Sequence, residues 1–286
     1  MKIHIAHSPD SDDAFMFYGL ASGKVPTGEL EFVHVLSDIE TLNRAAFDGT
    51  YEISAVSFHA YAHLTDKYIL LPHGASMGDN YGPIVVVRKD GSRHSPEGAK
   101  ADGPTALDGV TVAIPGTLTT AFLALRLYKP DVQYVVMPFD EILEAVRDGK
   151  VEAGLLIHEG QLTYEHEGLR KLVDFGEWWA ERTDGLPLPL GGNIIRRDLG
   201  PELISRLSRL LHDSIAYGLT HRSDAVTHAM QYGRGLDRNE TDTFIGMYVN
   251  GLTLDYGERG RTAVLRLLGE ASEKGLIPAV DVVFAD

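Results

Sequence analysis

His158 is the residue in this chain that is best placed for acid–base chemistry. It follows a short apolar run, residues 151–157, which the sequence predicts to be a buried strand, and Glu159 comes directly after it. Ligands bind at the carboxyl ends of parallel strands, so a polar pair at such an end is typical of an α/β active site. A neutral imidazole can remove a proton near neutral pH. The alternative is that His158 only caps the following helix or pairs with Glu159.

Hydroxyl groups stand at the start of another predicted helix. Thr119 and Thr120 open residues 119–128, which follow a predicted strand at 110–114. Side-chain hydroxyls and free N–H groups at a helix start bind carboxylates. The two threonines therefore indicate an anion-binding position, and their alternative is ordinary helix capping.

The first strand, Lys2–His7, ends in a loop that begins at Ser8 and leads into a predicted helix at 14–21. The start of a helix attracts anions. Asp10, Asp12 and Asp13 lie in the same loop and would repel an anion unless they cap the helix or bind hydroxyls. The sequence leaves that conflict open.

The predicted elements occur in two similar series. Residues 31–57 read as strand, helix, Asp-Gly turn and strand, and residues 132–157 repeat this order with Asp48-Gly49 on Asp148-Gly149 and Glu52 on Glu152. The repeat predicts two α/β lobes whose strand ends face a ligand cleft. In it, the Ser8 loop corresponds to residues 115–120, and Ser57-Phe58 to Ile157-His158.

The rest of the chain sets the expected domain organisation. Further strands are predicted at 68–72, 82–88 and 169–175, a linker or surface insertion at 90–108, and a hinge-like return crossing at 186–192, which mixes prolines with glycines. Amphipathic helices follow from residue 201 and are expected to pack on the first lobe. The predicted large α/β lobe therefore comprises residues 1–88 and 194–286, and the small lobe residues 89–193.

Composition narrows the classes of partner. The chain has 286 residues, a formal net charge of −15 and no cysteine. Such a charge argues against nucleic acid or an anionic membrane as partner, and the missing cysteine excludes disulfides and thiolate metal sites. There is no HExxH, calcium-loop, GxSxG or GxGxxG pattern. We expect a small-molecule ligand, a site without metal or cofactor and a cytoplasmic location, because no export signal or membrane span is evident. The oligomeric state is open.

Several segments resemble one known family, the 1,4-dihydroxy-6-naphthoate synthases of the futalosine route to menaquinone. The resemblance runs over nearly the whole chain and is carried by HSPDSDDAFMFYGL, DIETLNRAAFDG, TTAFLALRLY, VEAGLLIHEGQLTYEHEGL and GEWWAERTDGLPLPLGGNIIRRDLG. It implies a two-lobed, type II periplasmic-binding-protein-like fold. It also implies a lyase that converts cyclic dehypoxanthinyl futalosine to 1,4-dihydroxy-6-naphthoate and dihydroxyacetone. By the same resemblance His158 is the general base, and Ser57, Thr119 and Thr120 line the substrate site.

The first loop departs from the family pattern. Members of the family tend to read SPCPNDTF, whereas this chain has Asp12 in place of the asparagine and Ala14 in place of the threonine. Ser8 and Asp12 are candidate substrate-binding residues, so the exchange bears on the choice of substrate. Two alternatives are a solute-binding protein of the same fold and the related chorismate dehydratase. The IHE and GLPLPLG segments favour the naphthoate synthase.

Overall fold

The computed structural model describes residues 1–89, 103–233 and 235–285. The chain forms two compact units: unit 1 comprises Met1–Gly78 and Pro189–Asp286, and unit 2 comprises Asp79–Leu188. Residues 90–102 of the predicted insertion lie outside the described residues, and Gly103–Leu107 forms a 3-10 helix.

Strands and helices occur in nearly the order expected from the sequence. The strands are β1 (Lys2–His7), β2 (Glu31–Leu36), β3 (Ile53–Ser57), β4 (Tyr68–Leu70), β5 (Ser76–Gly78), β6 (Ile84–Arg88), β7 (Thr111–Ile114), β8 (Gln133–Val136), β9 (Ala153–Leu156), β10 (Leu169–Asp174) and β11 (Leu188–Arg196). The α-helices are α1 (Ser11–Met16), α2 (Tyr18–Ala21), α3 (Ile39–Phe47), α4 (Phe58–Tyr61), α5 (Thr120–Tyr128), α6 (Phe139–Arg147), α7 (Gly160–Thr163), α8 (Phe175–Arg182), α9 (Pro201–Thr220), α10 (Arg222–Ala229), α11 (Arg238–Tyr248), α12 (Gly251–Leu254) and α13 (Gly257–Glu273). The helix expected at 14–21 is in fact two helices, and the first begins at Ser11.

The sheets of the two units have the same strand order. In unit 1 the order is β2-β1-β3-β11-β4, and β5 pairs with β11. In unit 2 it is β8-β7-β9-β6-β10. The first three strands of each sheet are parallel, and the fourth runs antiparallel to its neighbours. The α/β duplication predicted from the sequence is thus present as a repeated sheet. Residues 84–88, expected in the first lobe, form β6 in the sheet of unit 2.

Individual turns repeat as well. α3 and α6 each end in an Asp-Gly pair, with Gly49 at φ 67° and Gly149 at φ 71°. A positive φ is readily adopted only by glycine, which is why both helices stop at the same point. The next strands, β3 and β9, therefore begin at equivalent positions.

The return crossing expected at residues 186–192 lies within that segment, because unit 2 ends at Leu188 and unit 1 resumes at Pro189, but its glycines belong to a strand. From Leu188 onward the chain is in β11, which pairs with β3 and β4. Gly192 is needed for space, because a Cβ there would lie 2.7 Å from the Tyr256 hydroxyl and 3.0 Å from the Phe58 ring. The glycine allows close packing in a sheet rather than free rotation.

The C-terminal helices complete the core of unit 1, as expected. Their apolar faces join the residues of β1 and α1 in one buried cluster, which includes Ile3, Ile5, Phe15, Leu207, Leu211 and Ile245. Unit 2 has its own core, which includes Val86, Ala113, Ile142, Val146 and Leu156. Among the described residues, no helix has the length and apolar character needed to cross a membrane.

Candidate functional site

His158 lies two residues beyond the end of β9, in a strained backbone conformation. Its φ is 59°, in the left-handed region. This region costs a residue with a side chain about 1–2 kcal/mol, and such strain is concentrated at functional positions. The half-buried imidazole meets the ring of Phe139 edge to face, with 4.7 Å between ring centroids. The Phe139 ring therefore packs against the imidazole of His158 and restricts its movement.

The helix that follows is not capped by His158. The residue at the N-cap of α7 is Glu159, and α7 has no hydrogen bond from a capping side chain. The capping alternative for His158 is therefore wrong. Glu159 itself is buried, with 7% of its surface exposed.

A glycine in β9 brings its supporting helix close. A Cβ on Gly154 would lie 2.5 Å from Ile142 Cγ2 and 2.7 Å from Val146 Cγ2, so α6 packs directly on the strand. Ile142 and Val146 are on the buried face of α6. Phe139 is the first residue of the same helix, and this close packing places its ring against His158.

Thr119 is the N-cap of α5. Its hydroxyl accepts a hydrogen bond from the Phe122 N–H at 3.2 Å and donates one to the Gly116 carbonyl at 3.0 Å. The capping alternative therefore holds for Thr119. Thr120, the first residue of the helix, is buried beside it. Both residues follow β7, which is the parallel neighbour of β9.

In unit 1, Ser57 ends β3 and is held by a residue that sequence reasoning missed. Asn43 Oδ1 accepts from the Ser57 N–H at 2.8 Å, and Asn43 Nδ2 donates to Ser57 Oγ at 3.1 Å. Asn43 is 0% exposed and Ser57 is 3% exposed. The only signal in the sequence was an amide on the buried face of an amphipathic helix.

The conflict in the Ser8 loop is resolved by hydrogen bonds within the loop. Asp13 Oδ2 accepts from the Ser8 N–H at 2.8 Å, and Asp10 Oδ2 accepts from the Ser8 hydroxyl at 2.7 Å. Two of the three carboxylates thus serve as internal acceptors. Asp12 is partly exposed at the second position of α1.

A buried histidine adjoins this loop. His7 is 4% exposed, and its Nε2 lies 3.0 Å from His34 Nδ1. Its Nδ1 lies 3.0 Å from the Ser8 carbonyl, which fixes the proton on Nδ1. Burial, together with the neighbouring His34, lowers the pKa of His7 to about 3. Burial also lowers the pKa of His34.

The predicted site residues therefore fall into one cluster in each unit. Ser8, Asp12 and Ser57 follow β1 and β3, and Thr119, Thr120 and His158 follow β7 and β9. In each pair the strands are parallel neighbours, so their carboxyl ends lie at one edge of the sheet. Within residues 1–89, 103–233 and 235–285, no three histidine or acidic side chains are grouped so as to hold a metal ion.

Comparisons with known sequences give a family. The chain matches the family profile described as menaquinone biosynthesis over residues 3–273. Two curated relatives are named 1,4-dihydroxy-6-naphthoate synthase. The relative from Thermus thermophilus is 41% identical over 275 residues, which are 96% of this chain and 95% of its own. The relative from Streptomyces coelicolor is 39% identical over 284 residues, with 97% and 95% covered.

Comparisons with solved structures give the fold. A protein of Archaeoglobus fulgidus has a TM-score of 0.88 and 48% identity, covering 96% of this chain and 98% of that chain. The alkanesulfonate-binding protein of Xanthomonas axonopodis pv. citri has a TM-score of 0.67 at 13% identity, covering 97% and 94%. At that identity the second likeness concerns the fold alone. The predicted α/β fold of the periplasmic-binding-protein type is confirmed.

Proposed function

The chain belongs to the menaquinone biosynthesis family and is an enzyme, and on that premise we propose that it converts cyclic dehypoxanthinyl futalosine to 1,4-dihydroxy-6-naphthoate and dihydroxyacetone. The reaction is the cleavage of a carbon–carbon bond. The observation that carries the proposal is the position of His158, a half-buried imidazole on a strained turn at the end of a parallel strand. The two curated relatives named for this product support the same reaction.

In the proposed mechanism His158 acts as the general base. The neutral imidazole removes a proton from the substrate, and the electron pair left behind remains in the substrate as the carbon–carbon bond breaks. Formation of an aromatic ring draws the cleavage forward, so no oxidant or reductant is consumed. The contact with Phe139 and the fixed backbone restrict the orientation of the imidazole, which is the condition for efficient proton transfer.

We propose that the hydroxyl groups and helix starts of the two clusters bind the substrate. In unit 2 these are Thr119 and Thr120, at the start of a nine-residue helix whose N–H groups favour a carboxylate. In unit 1 they are Ser57, Ser8 and Asp12. The Ser57 hydroxyl suits a substrate oxygen, because a hydroxyl both donates and accepts.

The altered first loop bears on substrate choice. Ser8 and Asp13 are joined by a hydrogen bond, and Asp12 is partly exposed. A carboxylate at this position accepts hydrogen bonds from sugar hydroxyls and repels a substrate carboxylate. We therefore propose that Asp12 contacts a hydroxyl-bearing part of the substrate.

The test is to incubate the purified protein with cyclic dehypoxanthinyl futalosine and to follow naphthoate by absorbance and mass spectrometry. The expected result is naphthoate from the native protein and from His166→Ala, and none from His158→Ala. His166 is a suitable control because it is an exposed histidine in the segment after α7.

Two results would overturn the proposal in different ways. Full activity of His158→Ala would remove His158 as the base but leave the reaction. A folded native protein that produces no naphthoate would remove the reaction itself. Dehydration of chorismate, or tight binding of a small carboxylate without turnover, would then identify the alternative function.

A further inference from the structure

From the hydrogen bonds around Ser57 we infer that Asn43 is a positioning residue, which fixes the direction in which the Ser57 hydroxyl donates its proton. The inference rests on the proposed function, in which Ser57 binds the substrate. It starts from one arrangement: a single side chain contacts both polar groups of Ser57, and Asn43 and Ser57 are both buried.

The orientation of the Asn43 amide follows from chemistry. A backbone N–H can only donate, so the atom that faces the Ser57 N–H at 2.8 Å must be the oxygen, Oδ1. The NH2 group then has to face Ser57 Oγ, at 3.1 Å. An NH2 group can only donate, so Ser57 Oγ accepts from it. The Ser57 hydroxyl proton must therefore point to another partner.

No acceptor for that proton is found in the part of the chain that the structure describes. Ser57 is the N-cap of α4, yet its side chain makes no capping bond to that helix. The Asn43 contact is the one hydrogen bond that its hydroxyl makes within residues 1–89, 103–233 and 235–285. The Ser57 hydroxyl proton is thus oriented to donate to a substrate oxygen at the carboxyl end of β3.

The repeat shows that the fold does not require an amide at this position. α3 and α6 are equivalent nine-residue helices that end at Asp48-Gly49 and Asp148-Gly149. By this alignment the counterpart of Asn43 is Leu143, which packs against the core of unit 2. Ser57 corresponds to Ile157, which has no hydroxyl to orient. The amide and the hydroxyl therefore occur together in one unit and are both missing from the other.

Burial of an amide is costly unless its hydrogen bonds are made, so a purely structural position would favour an apolar residue. Asn43 is 0% exposed, and both of its side-chain polar atoms are in hydrogen bonds to Ser57. This pairing stabilises one orientation of the hydroxyl. A hydroxyl that is already oriented loses little freedom when the substrate binds.

Asn43→Asp is the sharpest test, because it keeps the size of the side chain and the acceptor for the Ser57 N–H. The carboxylate replaces the NH2 donor, so the Ser57 hydroxyl turns and donates to it instead. We expect kcat/KM for cyclic dehypoxanthinyl futalosine to fall about tenfold or more, as in Ser57→Ala. The double variant Asn43→Asp with Ser57→Ala should lie within about twofold of Ser57→Ala alone.

Asn193→Ala is the matched control. Asn193 is also a buried asparagine of unit 1, and its Nδ2 donates to the Gly74 carbonyl at 3.2 Å. We expect this variant to lower the unfolding temperature but to leave KM within about twofold, because the lost bond does not involve Ser57. Unfolding temperatures of all variants separate loss of fold from loss of orientation.

The outcomes distinguish the inference from the proposed function. If the native protein makes no naphthoate, the proposed function fails. If the native protein is active, and Asn43→Asp either keeps its kcat/KM or adds its full effect to that of Ser57→Ala, only the inference about Asn43 fails. A loss that is absent on the Ser57→Ala background supports it.

Discussion

Glu52 and Glu152 make the same hydrogen bond in the two units. Oε2 of Glu52 accepts from the His4 N–H at 2.8 Å, and Oε2 of Glu152 accepts from the Thr111 N–H at 3.1 Å. Each glutamate precedes a central strand, and each N–H belongs to the parallel strand beside it. The bond holds the two strands at the edge opposite to the carboxyl ends that carry the candidate site residues.

Glu52→Ala should cost more stability than Glu152→Ala, because Glu52 is partly buried whereas Glu152 is exposed. Glu52 also contacts the His4 ring and Arg196, at 3.0 Å and 3.4 Å. Burial alone would raise the pKa of Glu52, but the hydrogen bonds from His4 and the charge of Arg196 lower it overall. We expect a loss of about 1–3 kcal/mol for Glu52→Ala. Urea unfolding measures this loss, and equal losses for the two variants would contradict the greater cost of removing a partly buried acceptor.

At position 158, glycine should be more stable than alanine. Both changes remove the imidazole, so both should abolish naphthoate formation if His158 is the base. Glycine, however, adopts the φ of 59° without strain, and the difference should be about 1 kcal/mol in its favour. Urea unfolding of the two variants measures this difference.

Glu159 provides a control at which the stability difference between glycine and alanine should have the opposite sign. Glu159 has φ −62° and ψ −23°, in the right-handed helical region. There alanine should be the more stable by about 0.5–1 kcal/mol. If alanine were preferred at both positions, the strain assigned to His158 would be refuted.

A comparison of alanine variants at Thr119 and Asp38 distinguishes a capping role from a substrate-binding role. Asp38 caps α3 by accepting from the Thr41 N–H at 3.0 Å, much as Thr119 caps α5. Alanine at either position should cost about 1 kcal/mol of stability. Only Thr119→Ala should also raise KM, and Thr119→Ser should restore both properties. Unchanged KM in Thr119→Ala would leave Thr119 with the capping role alone.

Stability should fall in acid because of His7. The pKa of His7 is lowered from 6.5 to about 3 in the folded protein, so the unfolded chain takes up the proton first. The stability contribution is complete above pH 6.5 and is lost as the pH falls toward 3. A group that is protonated only in the unfolded state lowers the unfolding free energy by about 1.4 kcal/mol for each pH unit of acidification. His34 and Asp10 are the ionisable neighbours of His7 that act on its charge.

His7→Gln tests this origin. Between pH 6.5 and 4, the unfolding free energy of the variant should fall less steeply with decreasing pH than that of the native protein. The two slopes should differ by at most about 1.4 kcal/mol per pH unit, which corresponds to one proton. An unchanged slope in His7→Gln would assign the acid sensitivity to other groups.

Most of the fold could be predicted because local signals agreed with it. β1 has the predicted bounds, and the Asp-Gly turns after α3 and α6 reveal the repeat. The misses arise where one residue type serves two purposes. Gly192 suggested freedom of rotation, whereas contact with Phe58 and Tyr256 requires a residue without a side chain. Only tertiary packing distinguishes these meanings.

The sequence predicted the candidate site residues that follow strands. It did not predict the residues that contact them from neighbouring elements. His158 and Ser57 follow apolar runs, which makes their positions readable from the sequence. Asn43 acts through a residue fourteen positions away, and nothing in the periodicity of α3 identifies its partner. His7 was part of a strand pattern, and its proximity to His34 depends on the parallel register of β1 and β2.

The left-handed turn at residue 158 sets two selection pressures against each other. A mutant library screened only for resistance to heat would accumulate glycine at this position, because glycine relieves the backbone without disturbing the strand. The same library screened for turnover would be expected to retain histidine. Thermostabilised variants of this enzyme should therefore be made by holding residue 158 fixed and seeking improvements elsewhere in the chain.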